Sequence, residues 1–440
     1  MMSVKHVLLA ALLFAASAAQ AGPAIQHWQT QNGARVYFVS APDLPMVDVR
    51  VVFDAGSARD DGKNGLAALT ATMLAEGVKT AEAELNADEI AERFAALGAR
   101  FGAGADRETA SVSLRSLTET GLLQPALDLM AGILRAPAFP AAAFERERNR
   151  MLVGLRQQEQ SPGDIASKNF YKALYADHPY AGEPGGTEQT LSRLTREDVA
   201  EFHARYYVAR NAVVAIVGAL TRDEAHALAE QVAGSLPPGE RAAALPAVAP
   251  QLAQTIRLPH PSTQTHVLIG QIGMSRDDPD YFPLLVGNHI LGGSGLVSRI
   301  SNEIREKRGL SYSAYSYFAP MRVAGPYMLG LQTRNDRADE ALQVLRGTLA
   351  DFVANGPAEE ELKAAGKNIT GGFALRLDSN SKLLDHLVLI GFYHLPLDYL
   401  DTYTSRVEGV TLAQIKDAFQ RRVHPERMVT VIVGGVATQP

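Results

Sequence analysis

Two stretches of this chain are variants of one another. LTREDVAEFHARYYVARNAVVAIVGAL from Leu194 and VTLAQIKDAFQRRVHPERMVTVIVGGV from Val410 align without a gap, 410 − 194 = 216 residues apart. Thr195 meets Thr411, Arg205 meets Arg421, and Ile216-Val217-Gly218 meets Ile432-Val433-Gly434. Chance composition would not keep both order and register. Each copy reads as a helix with a threonine start signal, then a short apolar strand that stops at glycine. The openings of the halves agree as well: VDVRVVFDAGS from Val47 and THVLIGQIGMS from Thr265 are strands leading through a polar loop to a helix. At 440 residues the chain exceeds what one hydrophobic core usually organises. Two domains built to one plan are expected.

The join is visible in composition. Leu236-Pro237-Pro238-Gly239 opens a run of Pro, Ala and Gln through Ala253, which reads as a linker. The expected division is a first domain at 22–237, a linker at 238–252 and a second domain at 253–440. Residues 1–21 form a separate unit: Lys5 and His6, an apolar run from Val7 to Ala16, then Ala19-Gln20-Ala21. That is the layout of a secretory signal peptide cut after Ala21. No later stretch is long and apolar enough to span a bilayer, so no membrane association is expected after cleavage. The formal net charge of −6, with 20% charged residues, gives no footprint for nucleic acid. The absence of cysteine excludes disulfides, thiolate zinc sites and cysteine nucleophiles.

Gly65 to Gly77, GLAALTATMLAEG, reads as a helix with Leu66, Leu69, Met73 and Leu74 at helical spacing, Asn64 as N-cap and Gly77 as terminator. With its lead-in VVFDAGSARDDGKNGLA, this segment resembles the M16 (pitrilysin-type) zinc peptidases around their active-site helix. The resemblance continues through FERERNRMLVGLRQQ from Phe144, HPYAGEPGGT from His178, Gly292 to Tyr312, and LRLDSNSKLLDHLVLIGFYHLPLDYLDTY from Leu375. It implies an α+β fold of two homologous M16-type domains, each a mainly antiparallel sheet covered by helices. The alternation of strands and helices would by itself leave α/β open.

The resemblance also marks what is missing. The family's H-x-x-E-H would fall on Ala68, Ala71 and Thr72, and none of these can ligate zinc or take a proton. Glu145 matches the family's third, glutamate ligand, but without two imidazoles it is expected to be a charged helix residue beside Arg146, Arg148 and Arg150. No two of the 11 histidines stand three or four residues apart. His260 and His266 fall near a strand start, and His386 and His394 lie two turns apart on an apolar helix. No metal is expected in this chain. Gly102 to Leu114 is where the resemblance places the substrate-binding strand, and its alternation through Thr109, Ser111 and Ser113 would still let a peptide add as a β-strand.

The second half keeps more of the family pattern. EIREKRGLSYSAYSY, from Glu303, reads as a helix end, a terminating Gly309 and an alternating strand from Leu310 onward. Arg305 and Tyr312 stand seven apart across that turn, and the resemblance implies that an Arg/Tyr pair at this spacing contacts substrate beside the zinc site. The residues alone leave another reading open: the cations complement a helix C-terminus and Tyr312 packs at a sheet edge. Gly292-Gly293-Ser294-Gly295 joins two helices and lacks the Lys-Ser/Thr of a phosphate loop. It reads as a flexible connection, to which the resemblance adds contact with substrate. The chain most resembles the zinc-less subunit of bacterial two-subunit M16 peptidases. That implies a homologous partner carrying H-x-x-E-H and its zinc, a peptide or unfolded polypeptide as substrate, positioning by Arg305 and Tyr312, and, with the leader, a periplasmic location. A silent periplasmic scaffold or peptide-binding protein on the same fold is the competing expectation.

Overall fold

The computed structural model describes residues 24–80 and 83–435; the leader at 1–21 lies outside them. The first half contributes β1 (Gln26–Gln29), β2 (Arg35–Ser40), β3 (Met46–Phe53), the small hairpin β4 (Gly77–Lys79) and β5 (Glu84–Asn86), β6 (Arg100–Ala105), β7 (Ala110–Leu117) and β8 (Ala212–Gly218). The second contributes β9 (Gln254–Leu258), β10 (Gln264–Ile272), β11 (Ala314–Phe318), β12 (Pro326–Arg334) and β13 (Val429–Val433). The large sheets run β1-β2-β8-β3-β7-β6 and β9-β13-β10-β12-β11, so apart from β1 their strand orders are the same. Each has one parallel pair, β2 with β8 and β9 with β13, and is otherwise antiparallel. The fold is α+β, and the sequence repeat is a repeat of sheet topology.

Local signals set the repeated elements. Thr195 and Thr411 accept from the backbone N–H three residues on, closing capping boxes at the starts of helices Arg196–Tyr206 and Leu412–Arg422. The strands that follow, β8 (AVVAIVG) and β13 (VTVIV), are buried at every residue. A strand covered on both faces reads as a continuous apolar run, as β8 does and as β13 does apart from Thr430, whose hydroxyl accepts from Arg346.

What covers those faces is an exchange. In β2, Val36 and Phe38 enter the core of the first half, while Tyr37 and Val39 enter a core shared with Leu384, Leu387 and Ile390 of helix Asn380–Tyr393 from the second half. Conversely, Ala166, Phe170 and Leu174 of helix Pro162–Tyr175, in the first half, pack on Val429, Val431 and Val433 of the second sheet. Each fully buried large side chain at these seams contributes about 1.5–3 kcal/mol. Close approach needs glycine at both seams. A Cβ on Gly391 would lie 2.6 Å from Val213 Cγ1 and 2.7 Å from Tyr37, and one on Gly270 would lie 2.7 Å from the Phe170 ring.

A buried carboxylate ties the same seam. Glu108, 5% exposed in the turn between β6 and β7, accepts from the Tyr180 hydroxyl of its own half. From the other half it accepts from the Tyr393 hydroxyl at 2.6 Å and the Arg322 N–H at 2.9 Å. Nearby, Arg35 donates to the Gly391 carbonyl at 2.8 Å, and Arg50 pairs with Asp385 at 2.6 Å. The stretch expected to be a linker is a strap. Residues 237–253 form neither helix nor strand. Yet the Ala209 N–H bonds the Pro237 carbonyl at 2.8 Å, Arg59 donates to the Ala243 carbonyl at 2.7 Å, and His178 meets the Pro246 carbonyl at 3.0 Å. No described helix is long and apolar enough to cross a membrane.

Helix Leu66–Met73 forms where expected, with Leu66, Leu69 and Met73 buried, but its cap differs. Gly65, at φ 95°, is the N-cap and has no side chain, while the Asn64 carbonyl accepts from Thr190 at 2.7 Å. Asp60, 2% exposed, takes over, accepting from the Gly65 and Ala67 N–H groups, each at 2.8 Å. Burial pushes its carboxyl up to about 7, against the lowering effect of those backbone donors.

Two outcomes follow. On an open helix Gly391→Ala would gain about 1 kcal/mol; here it should cost about 1–3 kcal/mol through overpacking. A fall in urea midpoint at unchanged m-value would show this, and a rise would mean the helix is not seated as described. For Asp60, the folded carboxyl keeps its proton up to about 7, whereas the unfolded one loses it near 3.8. Wild-type stability should therefore fall relative to Asp60→Asn as pH rises across that window. Urea melts from pH 4 to 7.5 test it, and a wild-type/variant difference that does not change with pH would refute the shift.

Candidate functional site

The helix that would carry zinc ligands is built but bare. Ala68 is half-buried, Ala71 is buried at 1% exposure, and Thr72 is exposed with its hydroxyl donating to the Ala68 carbonyl at 3.0 Å. Glu145 points away into a 2.5 Å ion pair with Arg148 and is 55% exposed. The buried carboxylate of helix Ala141–Gln158 is Glu147, two residues on, 1% exposed and held by Arg150 at 2.8 Å and Arg146 at 3.2 Å. Arg146 also pairs with Glu76, just past the bare helix. Glu147 was legible in principle: with Ala143 and Phe144 it completes a buried face at three- and four-residue spacing. The residues at Ala68, Ala71 and Thr72 do not fit a zinc ion, since none offers a nitrogen or carboxylate donor. Among the described residues no three His, Asp or Glu side chains cluster closely enough to hold a metal.

The histidines have structural surroundings. His203 is half-buried, its ring sufficiently desolvated to pull its pKa down to about 4, and it meets the Leu134 carbonyl at 3.0 Å. His394 sits just past helix Asn380–Tyr393 at φ 57°, with burial and the neighbouring Arg35 holding it neutral down to about 4. His260 lies in the loop before β10 and His266 within that strand.

The segment read as one strand from Gly102 to Leu114 is a hairpin. Asp106 turns the chain by accepting from the N–H groups of Glu108 at 2.8 Å and Thr109 at 2.7 Å. Ser111 and Ser113 lie in β7, which is paired on both sides by β3 and β6. A peptide therefore cannot add beside them; the free edge of this sheet belongs to β6.

Arg305 and Tyr312 are brought together, with the guanidinium carbon 5.9 Å from the ring centroid. The turn between them is firmly made. Residues Asn302–Glu306 form a π-turn, in which the Lys307 N–H reaches the Asn302 carbonyl at 3.0 Å. Gly309 reverses the chain at φ 59°, and Leu310 is buried. The Ser311 hydroxyl is within hydrogen-bond distance of the carbonyls of Ser313 at 2.8 Å and Gln332 at 2.7 Å. The strand begins at Ala314, not Leu310, because these bonds hold 311–313 in a bend. Tyr312 stands at its apex, 89% exposed on a fixed base. Lys307 and Arg308 are both engaged by Glu303, at 2.5 and 2.6 Å, while Arg305 keeps a looser 3.5 Å contact to Glu306. Two donors thus project side by side with few internal commitments. Such a pair can hold a peptide carbonyl and stabilise negative charge developing on its oxygen.

The glycine segment 292–295 is less flexible than its composition implies. His289–Gly293 forms a second π-turn, and a Cβ on Gly292 would collide with Ser316 of β11. Gly295, at φ 64°, has open space around it, and the two residues beyond, Leu296 and Val297, are 60% and 83% exposed.

Comparison with known proteins identifies the family. The family pattern described as insulinase (peptidase family M16) matches residues 35–188, and that described as peptidase M16 inactive domain matches residues 193–369. A Mycobacterium leprae protein named as an uncharacterized zinc protease is 27% identical over 417 residues, 93% of this chain and 91% of that one. A Helicobacter pylori protein named non-peptidase homolog YmxG is 26% identical over 393 residues, 89% of each chain. The crystal structure described as a peptidase M16 inactive domain from Pseudomonas fluorescens superposes with a TM-score of 0.90 at 40% identity, covering 94% of this chain and 99% of that one. With matching patterns in both halves and this near-complete superposition, the chain belongs to the M16 peptidase family.

Proposed function

We propose that this chain is the substrate-positioning subunit of a two-chain M16 peptidase, and that its leader-like residues 1–21 direct it to the periplasm. The observation that carries the reading is the Arg305–Tyr312 pair: two adjacent hydrogen-bond donors on a braced turn, exposed, in a chain whose own metal positions are Ala, Ala and Thr. A structural role alone would not require an 89% exposed tyrosine to be held by a buried Leu310 and a doubly bonded Ser311. In this reading Arg305 and Tyr312 orient the scissile carbonyl of a peptide or unfolded polypeptide, and fixed placement of the reacting group is itself a large part of catalysis. The metal ligands come from a homologous partner carrying H-x-x-E-H. The glycine segment Gly292–Gly295, with Leu296 and Val297, flanks the bound peptide.

The expected result is chelator-sensitive cleavage of a fluorogenic peptide by material recovered with this chain from its native host, and none by the chain alone. In that complex Arg305→Ala or Tyr312→Phe should lower kcat/KM by about 10²–10³, the usual consequence of removing one donor to a developing oxyanion. Co-elution of the two chains should be unchanged. Full activity in both variants would sink the positioning role, and silence of wild-type complex and isolated chain alike would favour a peptide-binding scaffold.

A further inference from the structure

The duplication creates two grooves at equivalent points, and they have diverged in chemistry. In each, the start of an exchanged helix faces the strands next to a sheet edge. Ser381 and Leu384 face Asp48 and Arg50 in one groove, and Gly163 and Ala166 face His266 and Leu268 in the other. The same offset relates the members of each pair of positions, 381 − 163 = 218 and 266 − 48 = 218. The first groove, of about 220 Å³, is lined by paired charges: Arg115 grips Asp48 with bonds of 2.6 and 2.9 Å, and Arg50 holds Asp385.

The second groove has no Asp, Glu, Lys or Arg in its lining. One wall is Tyr315 and Tyr317 of β11, stacked at 5.8 Å and still 37% and 39% exposed; Met328 and Leu268, on the same face of the sheet, also line it. Tyr315 lies directly across Gly330, where a Cβ would come within 2.5 Å of the ring, so glycine lets the aromatic face lie flat against the sheet. The cavity measures about 170 Å³. An apolar cavity of about 150 Å³ accommodates a benzene molecule, so there is room here for one large side chain.

The neighbouring backbone says what kind of molecule would bring that side chain. β11 is the edge of its sheet, pairing with β12 alone among the described strands, and an edge strand offers unpaired N–H and C=O groups to an incoming strand. Ser313 lines the groove and immediately follows Tyr312, so groove and donor pair are continuous. We propose that this groove is a subsite for an aromatic or large aliphatic side chain of an extended peptide that adds to the free edge of β11. This rests on the second half being the face that meets substrate. A fully extended strand rises about 3.3 Å per residue, so Tyr312 and Tyr315 are at most about 10 Å apart, and the bend at 311–313 brings them closer. The recognised side chain then lies within about three residues of the carbonyl held by Tyr312, which gives the peptidase a sequence preference.

The test uses the full chain alone and fluorescence anisotropy of labelled nonapeptides that differ only by Phe or Ala at one position in a Gly/Ser frame. Phe should bind about ten- to a hundredfold more tightly, as expected for burying a phenyl group. The double variant Tyr315→Ala/Tyr317→Ala should reduce that preference to about twofold or less. So should Gly163→Leu, which fills the groove from the helix side while leaving both rings in place; its Cβ position is 3.4 Å from the His266 ring, an ordinary contact. Asp385→Asn in the charged groove should keep the preference. Equal affinity for the two peptides, no binding of either, or a preference that survives Gly163→Leu overturns the proposal. Because binding is read without any partner or cleavage, its failure is distinguishable from failure of the two-chain reading.

Discussion

A helix from each half lies on the sheet of the other, and neither sheet can be fully buried without it. β8 and, apart from Thr430, β13 are apolar on both faces, so a half folded by itself would expose one face of that strand to water. Glu108 adds specificity to this apolar seam. Its charge is out of water, and two of the three groups that satisfy it, Tyr393 and the Arg322 N–H, belong to the other half. A buried carboxylate with its donors removed is strongly destabilising, so the halves are committed to one relative position. The strap at 237–253 runs along a junction already fixed by helix exchange, and it does not act as a hinge.

That rigidity explains how helix Leu66–Met73 keeps its shape without any metal-ligating side chain at Ala68, Ala71 or Thr72. Helix Leu66–Met73 is anchored by Leu66, Leu69 and Met73 in the core and capped by Asp60 from outside the helix. Ala68, Ala71 and Thr72 make none of those contacts through a polar donor, so fold and metal binding are separable on this element. In the second half the Arg305–Tyr312 pair and the glycine segment 292–295 are held by the backbone. They rest on backbone bracing: π-turns at His289–Gly293 and Asn302–Glu306, a left-handed Gly309 and a doubly bonded Ser311. π-turns inside helical segments often accompany functional positions.

The two copies show what duplication permits. Equivalent grooves began with the same strand order and the same exchanged-helix geometry. One now satisfies itself with Arg115–Asp48 and Arg50–Asp385, and the other presents stacked tyrosines beside a free edge. The charged groove strengthens the seam, since Asp385 comes from the helix laid across it. The aromatic groove lies against Ala166 and Met328 of the other seam, and its rings stay partly exposed.

Legibility follows the range of the interaction. The threonine caps at Thr195 and Thr411, the buried runs of β8 and β13, and the pairing of Arg305 with Tyr312 across a glycine turn could be read because each depends on neighbours within a few residues. The hairpin inside 100–117 was missed although its signal, Asp106 bonding the next N–H groups, was local. Asn64 was the obvious cap by residue type. The position goes to Gly65 because a side chain there would come within 2.7 Å of Leu191 and 3.0 Å of Gly186, more than a hundred residues away. The sequence by itself determined the two-copy plan, the family and the loss of zinc ligands, since repeats and motifs are written in residue order. Only the tertiary structure decided that the halves exchange helices, that Glu108 joins them and that one groove is charged and the other aromatic. Those contacts link residues 72, 214 and 285 positions apart, and no local pattern encodes them.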